Sequence, residues 1–353
     1  TYGHGDVVRG LEGQWADGLD PWTLTRRGDR IYGRGVADNK GQHSINIAAL
    51  AAVITTRGRL GFNSIVLIET GEEAGSPGLH EFVREHRDLL DADVLIASDG
   101  PRLGPDRPTL FMGTRGALNL DLEVRCREGG HHSGNWGGVL TNPGVVMAHA
   151  LASIVGRHGR VEVRDLVPNE LPESVRAALA ECELEPSDDS PEIDRQWGEP
   201  GLSPEEQLFG WNTFEVLAFK TGNPEHPVNA IPPVASAHCQ LRYTVATDPD
   251  TVVPALRDHL DRAGFPEVTV AAAPGPVGWQ ATRLDPSHPR VQWAAASVER
   301  TTGQRPAIVP NLGGSLPNDA FAIDLGLPTI WVPHSYSGCS QHAPNEHGLA
   351  SIM

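Results

Sequence analysis

Two kinds of strand pattern occur in this sequence, and they fall in different regions of the chain. Short, continuous apolar runs at 64–69, 94–97 and 328–332 are typical of parallel strands that helices cover on both faces. Helical patterns lie between these runs: 43–53 carries apolar residues at helical spacing, and 79–90 follows the first run. This alternation of strand and helix predicts a doubly wound α/β domain.

The middle of the chain instead alternates strictly between apolar and polar residues. Segments 117–126 and 237–245 both follow this pattern of period two, which predicts an antiparallel sheet with one face in contact with water. One helix is expected to start after Asn142, because a proline follows it directly. Another is expected at about 250–262, ending at Gly264.

These patterns divide the chain into two predicted domains. We expect a catalytic α/β domain of residues 1–114 and 284–353, with an α+β domain of residues 115–283 inserted into it. Segment 167–204 is rich in Pro, Glu, Asp and Ser, which predicts an irregular, solvated excursion. The chain begins only three residues before its first polar cluster and ends shortly after its last one, so we expect it to be truncated at both ends.

Charge and cysteine usage limit the partners of the chain. The formal net charge is −17, which argues against binding to nucleic acid or to an anionic membrane surface, because both attract Lys and Arg. No apolar run in the sequence is long enough to span a bilayer. The four cysteines are scattered without a CxxC motif, which favours reduced thiols and a cytoplasmic location.

Five short polar clusters carry the candidate chemistry. In chain order they are HGD at 4–6, GRGVADNKG at 33–41, ETGEEAGS at 69–76, ASDG at 97–100 and QHAPNEH at 341–347. The third and fourth directly follow predicted buried strands, and the fifth comes shortly after another. Because open α/β sheets place their sites beyond the carboxyl ends of the strands, we expect these clusters to converge there.

Taken singly, the first two clusters also have ordinary explanations. His4 and Asp6 form an HxD pair that occurs by chance in surface loops, and Asp38 can cap the helix that follows it. Glu72 and Glu73 are different, because adjacent carboxylates at the exit of a buried strand are costly unless a cation lies beside them. The joint pattern is therefore more specific than any one cluster.

In this order, and together with HHSGNWGG at 131–138 and NLGGSLPND at 311–319, the clusters resemble the M20 peptidases. That family includes carnosinase-like dipeptidases and acetylornithine deacetylase. The resemblance covers nearly the whole chain. It implies a doubly wound catalytic domain with an inserted α+β, ferredoxin-like domain for dimerisation and lid formation. It also implies a homodimer and two divalent metal ions, with zinc favoured and manganese or cobalt as alternatives.

The resemblance also implies a role for each motif residue. Five residues would hold the ions: His4 and Asp99 the first, Glu73 and His342 the second, and Asp38 both. Oxygen and nitrogen ligands without cysteine suit Zn²⁺, Mn²⁺ or Co²⁺. Two ions about 3.5–4 Å apart can share a water and polarise a carbonyl.

Other residues would carry out the reaction. Asp6 would orient His4, and Glu72 would act as general base and later as acid. His132 would reach from the inserted domain of a partner subunit to stabilise the oxyanion. The positions that match those holding the substrate's carboxylate end are Arg242, Gly313, Gly314 and Ser315.

The sequence thus predicts a cytoplasmic, dimeric, di-metal hydrolase that cleaves the amide bond of a small peptide, with a water shared by the ions and Glu72 as its base. Asp99, with ADNKG upstream, is more similar to the dipeptidase branch of the family than to the deacylase branch. An N-acyl amino acid deacylase is one alternative, and a site with one metal is another. A catalytically silent metal- or peptide-binding homologue is a third, although a binding protein needs no base such as Glu72.

Overall fold

The computed structural model describes residues 1–184, 192–274 and 278–353. The contacts between Cα atoms divide the chain into two units. The first unit comprises Thr1–Arg115, Pro172–Ile193 and Trp279–Met353, and the second comprises Gly116–Leu171 and Asp194–Gly278.

In chain order, the strands are β1 (Tyr2–His4), β2 (Thr25–Arg27), β3 (Arg30–Tyr32), β4 (Leu67–Glu69), β5 (Leu95–Ala97), β6 (Pro101–Arg102), β7 (Thr109–Phe111), β8 (Gly113–Thr114), β9 (Gly116–Arg125), β10 (His131–His132), β11 (Thr213–Thr221), β12 (Ala230–Ile231), β13 (Val234–Tyr243), β14 (Val268–Ala272), β15 (Thr282–Arg283), β16 (Ala307–Val309), β17 (Thr329–Trp331), β18 (Ser335–Tyr336) and β19 (His347–Leu349). The helices are α1 (Lys40–Arg57), α2 (Leu79–Glu85), α3 (Arg87–Leu90), α4 (Ser133–Trp136), α5 (Pro143–Ile154), α6 (Glu173–Leu179), α7 (Pro204–Gly210), α8 (Val252–Arg262) and α9 (Pro289–Thr302).

A mixed sheet with the strand order β16-β7-β17-β5 lies at the centre of the first unit. The pairs β16–β7 and β17–β5 are parallel, whereas β17 meets β7 in antiparallel fashion at Trp331 and Phe111. β1 pairs in parallel with β4. The unit therefore has a mixed α/β fold, in which the predicted strands β5 and β17 pair in parallel and β17 also meets β7 in antiparallel fashion.

The core of the first unit lies between β7, β17 and α9. Leu110, Ile330, Val291 and Ala295 are all fully buried there. The outward side chains of α9 remain in solvent, as expected for a helix that covers one face of a sheet.

Two of the three predicted buried strands are buried. All of β17 is inaccessible, and in β5 only Ile96 is partly accessible. At β4 the prediction is wrong: Ile68 is 43% exposed, and Val66 before it is 44% exposed. Because residues of a strand point alternately to opposite faces, one face of this run is uncovered within the described part of the chain.

The second unit contains an antiparallel sheet of strand order β11-β13-β9-β14. Its main elements follow one another as β9-α5-β11-β13-α8-β14, which is the ferredoxin-like β-α-β-β-α-β order. The predicted alternation is confirmed, because Leu120, Leu122 and Val124 of β9 are buried beside Cys239 and Leu241 of β13.

Both helices predicted for this unit are present. The Asn142 side chain accepts a hydrogen bond from the Gly144 N–H at 3.0 Å and so caps α5. α8 ends at Arg262, shortly before Gly264, whose φ of 88° lies in the left-handed region that glycine tolerates.

Two predictions of local structure need correction. The helix predicted for 79–90 divides at His86 into α2 and α3. Segment 167–204 is not wholly an irregular excursion, because it contains α6 with Val175 and Leu179 buried, and Pro172–Ile193 belongs to the first unit. Residues 185–191 of that segment lie outside the described part of the chain.

Two further observations concern the environment of the protein. Of the helices that the structure describes, none combines the length and the apolar character needed to cross a membrane. Cys126, Cys239 and Cys339 are free thiols, and the last two are buried.

Candidate metal centre

Polar side chains of the first unit converge where β1, β4 and β5 end. His4 is the last residue of β1 and lies opposite Glu69, the last residue of β4. Glu72 and Glu73 begin the short 3-10 turn that follows β4, and Asp99 comes directly after β5. Because β1 and β4 are parallel, their carboxyl ends lie side by side, as in the open α/β sheets that bind ligands at this edge.

Asp38 lies between two histidines. Its Oδ1 is 2.9 Å from His4 Nε2, and its Oδ2 is 2.9 Å from His342 Nε2. Only 5% of Asp38 is exposed. Each carboxylate oxygen thus serves a different histidine, as expected of a ligand that bridges two ions.

The five predicted ligands form two groups that share Asp38. Within each group the candidate ligand atoms lie within 4.8 Å of one another; the groups are His4, Asp38 and Asp99, and Asp38, Glu73 and His342. In the first group, His4 Nε2 is 3.6 Å from Asp99 Oδ2. In the second, His342 Nε2 is 3.2 Å from Glu73 Oε2.

Two buried carboxylate oxygens of the cluster lack hydrogen-bond partners among the described residues. They are Asp99 Oδ2 and Glu73 Oε1, one in each group. A buried charge without a partner is costly, and a cation beside it removes that cost. Imidazole nitrogen and carboxylate oxygen are also the donors that suit Zn²⁺, Mn²⁺ and Co²⁺. The residues present therefore fit a pair of divalent cations.

The acidic surroundings strongly favour the charged forms of both histidines. Burial by itself lowers the pKa of His4, but the hydrogen bond to Asp38 at 2.9 Å and the nearby Asp99 carboxylate at 3.6 Å outweigh burial and raise this pKa to about 11. Hydrogen bonds to Asp38 and Glu73 raise the pKa of His342 to about 10. Burial opposes ionisation of Asp38, yet the hydrogen bonds from both histidines hold its pKa well below its usual range.

Glu72 differs from its neighbour Glu73 in its environment. It is 7% exposed, and its Oε2 is 3.8 Å from His4 Nε2. Burial, followed by the negative charge of Asp99, raises the pKa of Glu72 to about 8. A carboxyl group that titrates near neutral pH is suited to accept a proton and later donate it.

Asp6 contacts more than the histidine that it was predicted to orient. The His4 Nδ1–H donates to the Asp6 backbone carbonyl at 3.2 Å and also lies 3.4 Å from Asp6 Oδ1. The two carboxylate oxygens of Asp6 also accept backbone N–H groups, Oδ1 from Glu72 at 3.3 Å and Oδ2 from Glu73 at 3.0 Å. Asp6 thus holds the His4 ring mainly through its backbone carbonyl, and its carboxylate fixes the turn that carries the next two site residues.

The predicted substrate loop lies in the first unit and is held by a buried arginine. Arg115, which is 5% exposed, donates from Nε to the Gly313 carbonyl at 2.9 Å. The Ser315 hydroxyl donates to the Arg115 carbonyl at 2.7 Å. Gly314 between them is exposed. Sequence reasoning missed Arg115, because a single arginine before a strand gives no motif signal.

Two other predicted residues belong to the second unit and not to this cluster. His132 is exposed in β10, and its Nδ1 accepts the Gly134 N–H at 3.1 Å. Arg242 lies on β13, donates to Gln240 Oε1 at 2.8 Å, and has its pKa lowered by burial.

Two residues that sequence reasoning did not single out hold the cluster together. Asn39 accepts the His4 backbone N–H at 3.3 Å and donates to the Ser98 carbonyl at 2.7 Å. Glu346 accepts backbone N–H groups of the loop that carries Asp38. Both residues lie inside the motifs that supplied the ligands, Asn39 directly after Asp38 and Glu346 four residues after His342. That proximity was the signal by which the sequence could have revealed them.

Comparison with known proteins assigns the chain to a family. The family model described as "Peptidase family M20/M25/M40" matches residues 1–350, and the chain belongs to this family. The resemblance seen in the sequence is therefore confirmed. Metallopeptidases of this family use divalent metals, and the chain has the candidate ligand residues.

Similar proteins include dipeptidases and a carboxypeptidase. The Beta-Ala-His dipeptidase of Rattus norvegicus is 37% identical over 166 residues, which are 46% of this chain and 33% of the rat protein. The Cysteinylglycine-S-conjugate dipeptidase of Corynebacterium striatum is 28% identical over 366 residues, covering 99% of this chain and 75% of that protein. The structure of an M20 family metallo-carboxypeptidase from Sulfolobus solfataricus matches with a TM-score of 0.78 at 25% identity, covering 99% of this chain and 80% of that one. The chain thus spans about a third of the rat relative's length and more of the other two.

Proposed function

We propose that this protein is a di-metal hydrolase that cleaves the amide bond of a small peptide such as a dipeptide. The observation that carries the proposal is the Asp38 carboxylate, whose two oxygens each lie 2.9 Å from a different histidine. A base candidate, Glu72, lies beside one of these histidines. The dipeptidase names of the relatives support a peptide substrate over an N-acyl amino acid.

The two groups around Asp38 would each hold one ion, with zinc favoured. Bound divalent cations supply a Lewis acid for the scissile carbonyl and make water acidic near neutral pH. The carboxylate of Glu72 accepts a proton from the attacking water and then donates it to the leaving amine nitrogen. Asp6 keeps the His4 ring and the Glu72 turn in position during these steps.

We propose His132 as the donor to the developing oxyanion, acting from a partner subunit. Its Nδ1 accepts the Gly134 N–H, which assigns the ring proton of neutral His132 to Nε2. An exposed Nε2–H is able to donate to a substrate oxygen. Arg242 and the Gly313–Ser315 loop are proposed to receive the carboxylate end of the substrate.

A homodimer contact is proposed at the edge of the sheet in the second unit. β11 is an edge strand, paired with β13 on one side. Val216, Leu217 and Phe219 on it are 40%, 55% and 45% exposed, although exposed apolar edge strands are normally protected. A β-bulge between Val216 and Ala218 places Glu215 and Lys220 on one face of the sheet and Val216 and Phe219 on the other. Antiparallel pairing with a second copy about a two-fold axis between 217 and 218 then sets Glu215 opposite Lys220 and Val216 opposite Phe219, both favourable cross-strand pairs.

This contact is tested by exchanging the two charges. Glu215→Lys places two lysines opposite each other and is expected to shift the dimer towards monomer in analytical ultracentrifugation. The double variant Glu215→Lys, Lys220→Glu is expected to restore the dimer. Equal dimerisation by wild type and both variants would contradict the proposed register.

The hydrolytic mechanism is tested with Glu72→Gln. We expect the variant to keep its bound metal and to lose at least about 100-fold in turnover of dipeptides, whereas the exposed control Glu81→Gln keeps both. Retention of metal together with wild-type turnover would remove Glu72 as the base. Mixing His132→Ala chains with Glu72→Gln chains is expected to recover some activity in hybrid dimers, and no recovery would count against a donor that acts across subunits.

The remaining alternatives are separated by substrate and by metal content. A panel of dipeptides and N-acetyl amino acids distinguishes a dipeptidase from a deacylase. Metal bound without turnover of either class indicates a silent homologue, and one equivalent of metal per chain indicates a mono-metal site. A cytoplasmic location is proposed on the basis of the free thiols.

A further inference from the structure

Glu346 is a fully buried carboxylate that holds the loop carrying Asp38. None of its surface is exposed. Its Oε1 accepts the backbone N–H groups of Gly35 at 3.0 Å, Ala37 at 2.9 Å and Asp38 at 3.2 Å. These bonds are charge-assisted and therefore stronger than bonds between neutral groups. Because the last of them involves the peptide group of Asp38 itself, Glu346 fixes the direction in which the Asp38 side chain leaves the backbone.

The second oxygen of Glu346 connects the same loop to the segment that carries His342. Glu346 Oε2 pairs with Arg34 Nη1 at 2.5 Å. Arg34 Nη2 in turn donates to the carbonyl of Ala343, the residue after His342, at 3.0 Å. Arg34 is only 4% exposed, so this ion pair is shielded from competing water. The Arg34–Glu346 ion pair therefore links the loop that carries Asp38 to the backbone next to His342.

The first metal group is tied to the loop by a different residue. Asn39 bonds to the backbone of His4 and of Ser98, the neighbour of Asp99. Glu346 has no part in those contacts. Loss of the Glu346 carboxylate is therefore expected to disturb the two groups unequally.

We propose that Glu346 is a positioning residue that, through Arg34, sets the separation between Asp38 and His342 and thereby the affinity of the group formed by Asp38, Glu73 and His342. This inference rests on the proposed metal centre. Glu346 touches neither ion nor substrate in this role. Residues that hold metal ligands in place typically change metal affinity by about 10- to 100-fold when they are replaced.

The test is Glu346→Gln in the full chain, stripped of metal and titrated with Co²⁺. We measure the dissociation constant of each bound equivalent and the visible absorption spectrum, which reports cobalt coordination independently of activity. We expect one equivalent to weaken by about 10- to 100-fold with an altered spectrum, and the other, which shares Asp38 but keeps the contacts of Asn39, to weaken less.

Glu206→Gln is the matched control. Glu206 is also buried, at 9% exposure, and its carboxylate accepts the Ser203 backbone N–H in the cap of α7 in the second unit. Both variants remove a buried carboxylate, but only Glu346→Gln is expected to change cobalt binding. Equal weakening of both equivalents in both variants would overturn the proposal, because general destabilisation then explains the effect.

A second variant covers the case in which Glu346→Gln does not fold. Arg34→Lys keeps the charge but removes the forked contact with Glu346 and Ala343, and it is expected to weaken the same equivalent. Cobalt binding like that of wild type in whichever of the two variants folds would overturn the proposal. If wild-type protein itself binds no divalent ion, the proposed function fails; if it binds two and the variants do the same, only the role of Glu346 fails.

Discussion

Adding divalent metal to the metal-free protein at pH 7 is expected to release about two protons per chain or more. The surrounding carboxylates raise the pKa of His4 to about 11 and that of His342 to about 10, so both rings are protonated at pH 7. A histidine must be neutral to bind a metal ion, and each ring therefore gives up its proton. Glu72, with its pKa raised to about 8, adds to the release when nearby cations favour its ionised form.

The sign of the pH dependence follows from these protonated rings. Below the raised pKa values, metal competes with protons, so affinity rises as the pH rises. Two released protons correspond to an increase of about 100-fold per pH unit in the product of the two binding constants. This dependence is expected to flatten only above about pH 10 to 11, where the rings have lost their protons.

Isothermal titration of the metal-free protein with Zn²⁺ in buffers of different ionisation enthalpy measures the proton count. His342→Asn is expected to release about one proton fewer. His80→Asn is the matched control, because His80 pairs with Asp324 at 2.6 Å outside the cluster and is expected to leave the count unchanged. Release of less than one proton per chain, or an affinity that does not change between pH 6 and 9, would refute this account of the cluster.

Three further substitutions test other parts of the molecule. Asp6→Asn removes the charge beside His4 and puts an amide N–H₂ near the N–H groups of Glu72 and Glu73. Metal affinity, measured by chelator competition, is expected to fall about 10- to 100-fold. Unchanged metal affinity would contradict a positioning role for Asp6. Leu241→Ala, at a fully buried position, is expected to lower the free energy of unfolding in urea by about 2–5 kcal/mol, whereas Leu89→Ala, at a position 66% exposed, is expected to change it by less than about 0.5 kcal/mol. Asn142→Ala removes the cap of α5 and is expected to lower the free energy of unfolding by about 1 kcal/mol. Asn142→Ser keeps a capping oxygen and is expected to retain most of that stability.

The antiparallel sheet of the second unit could be predicted from the sequence because one of its faces is in contact with solvent. Alternation between apolar and polar residues marks β9 and β13 directly, and their buried residues lie where period two places them. The first unit gave a weaker signal. A continuous apolar run does not reveal which of its faces is covered, and β4 shows the consequence, because Ile68 remains 43% exposed.

The candidate ligands were also accessible from the sequence, because each lies in a short polar motif and three of these motifs follow a predicted strand. The residues that hold the ligands and the 313–315 loop in place were harder to find. Arg115 and Glu346 act through contacts with backbone groups that are distant in sequence, such as the bonds from Gly35, Ala37 and Asp38 to Glu346. A backbone N–H is the same for every residue type except proline, so these contacts leave no pattern in side-chain identity.

By itself, the amino-acid sequence determined the alternating strands of the second unit, the two regions of different strand pattern and the set of carboxylates and imidazoles offered for a metal centre. Those properties depend on local periodicity and on side-chain chemistry, both of which are written along the chain. Only the tertiary structure decided that the two oxygens of Asp38 face different histidines, and that Asp99 Oδ2 and Glu73 Oε1 are buried without hydrogen-bond partners among the described residues. Distances and burial of this kind arise when segments tens to hundreds of residues apart pack together, and no local pattern encodes them.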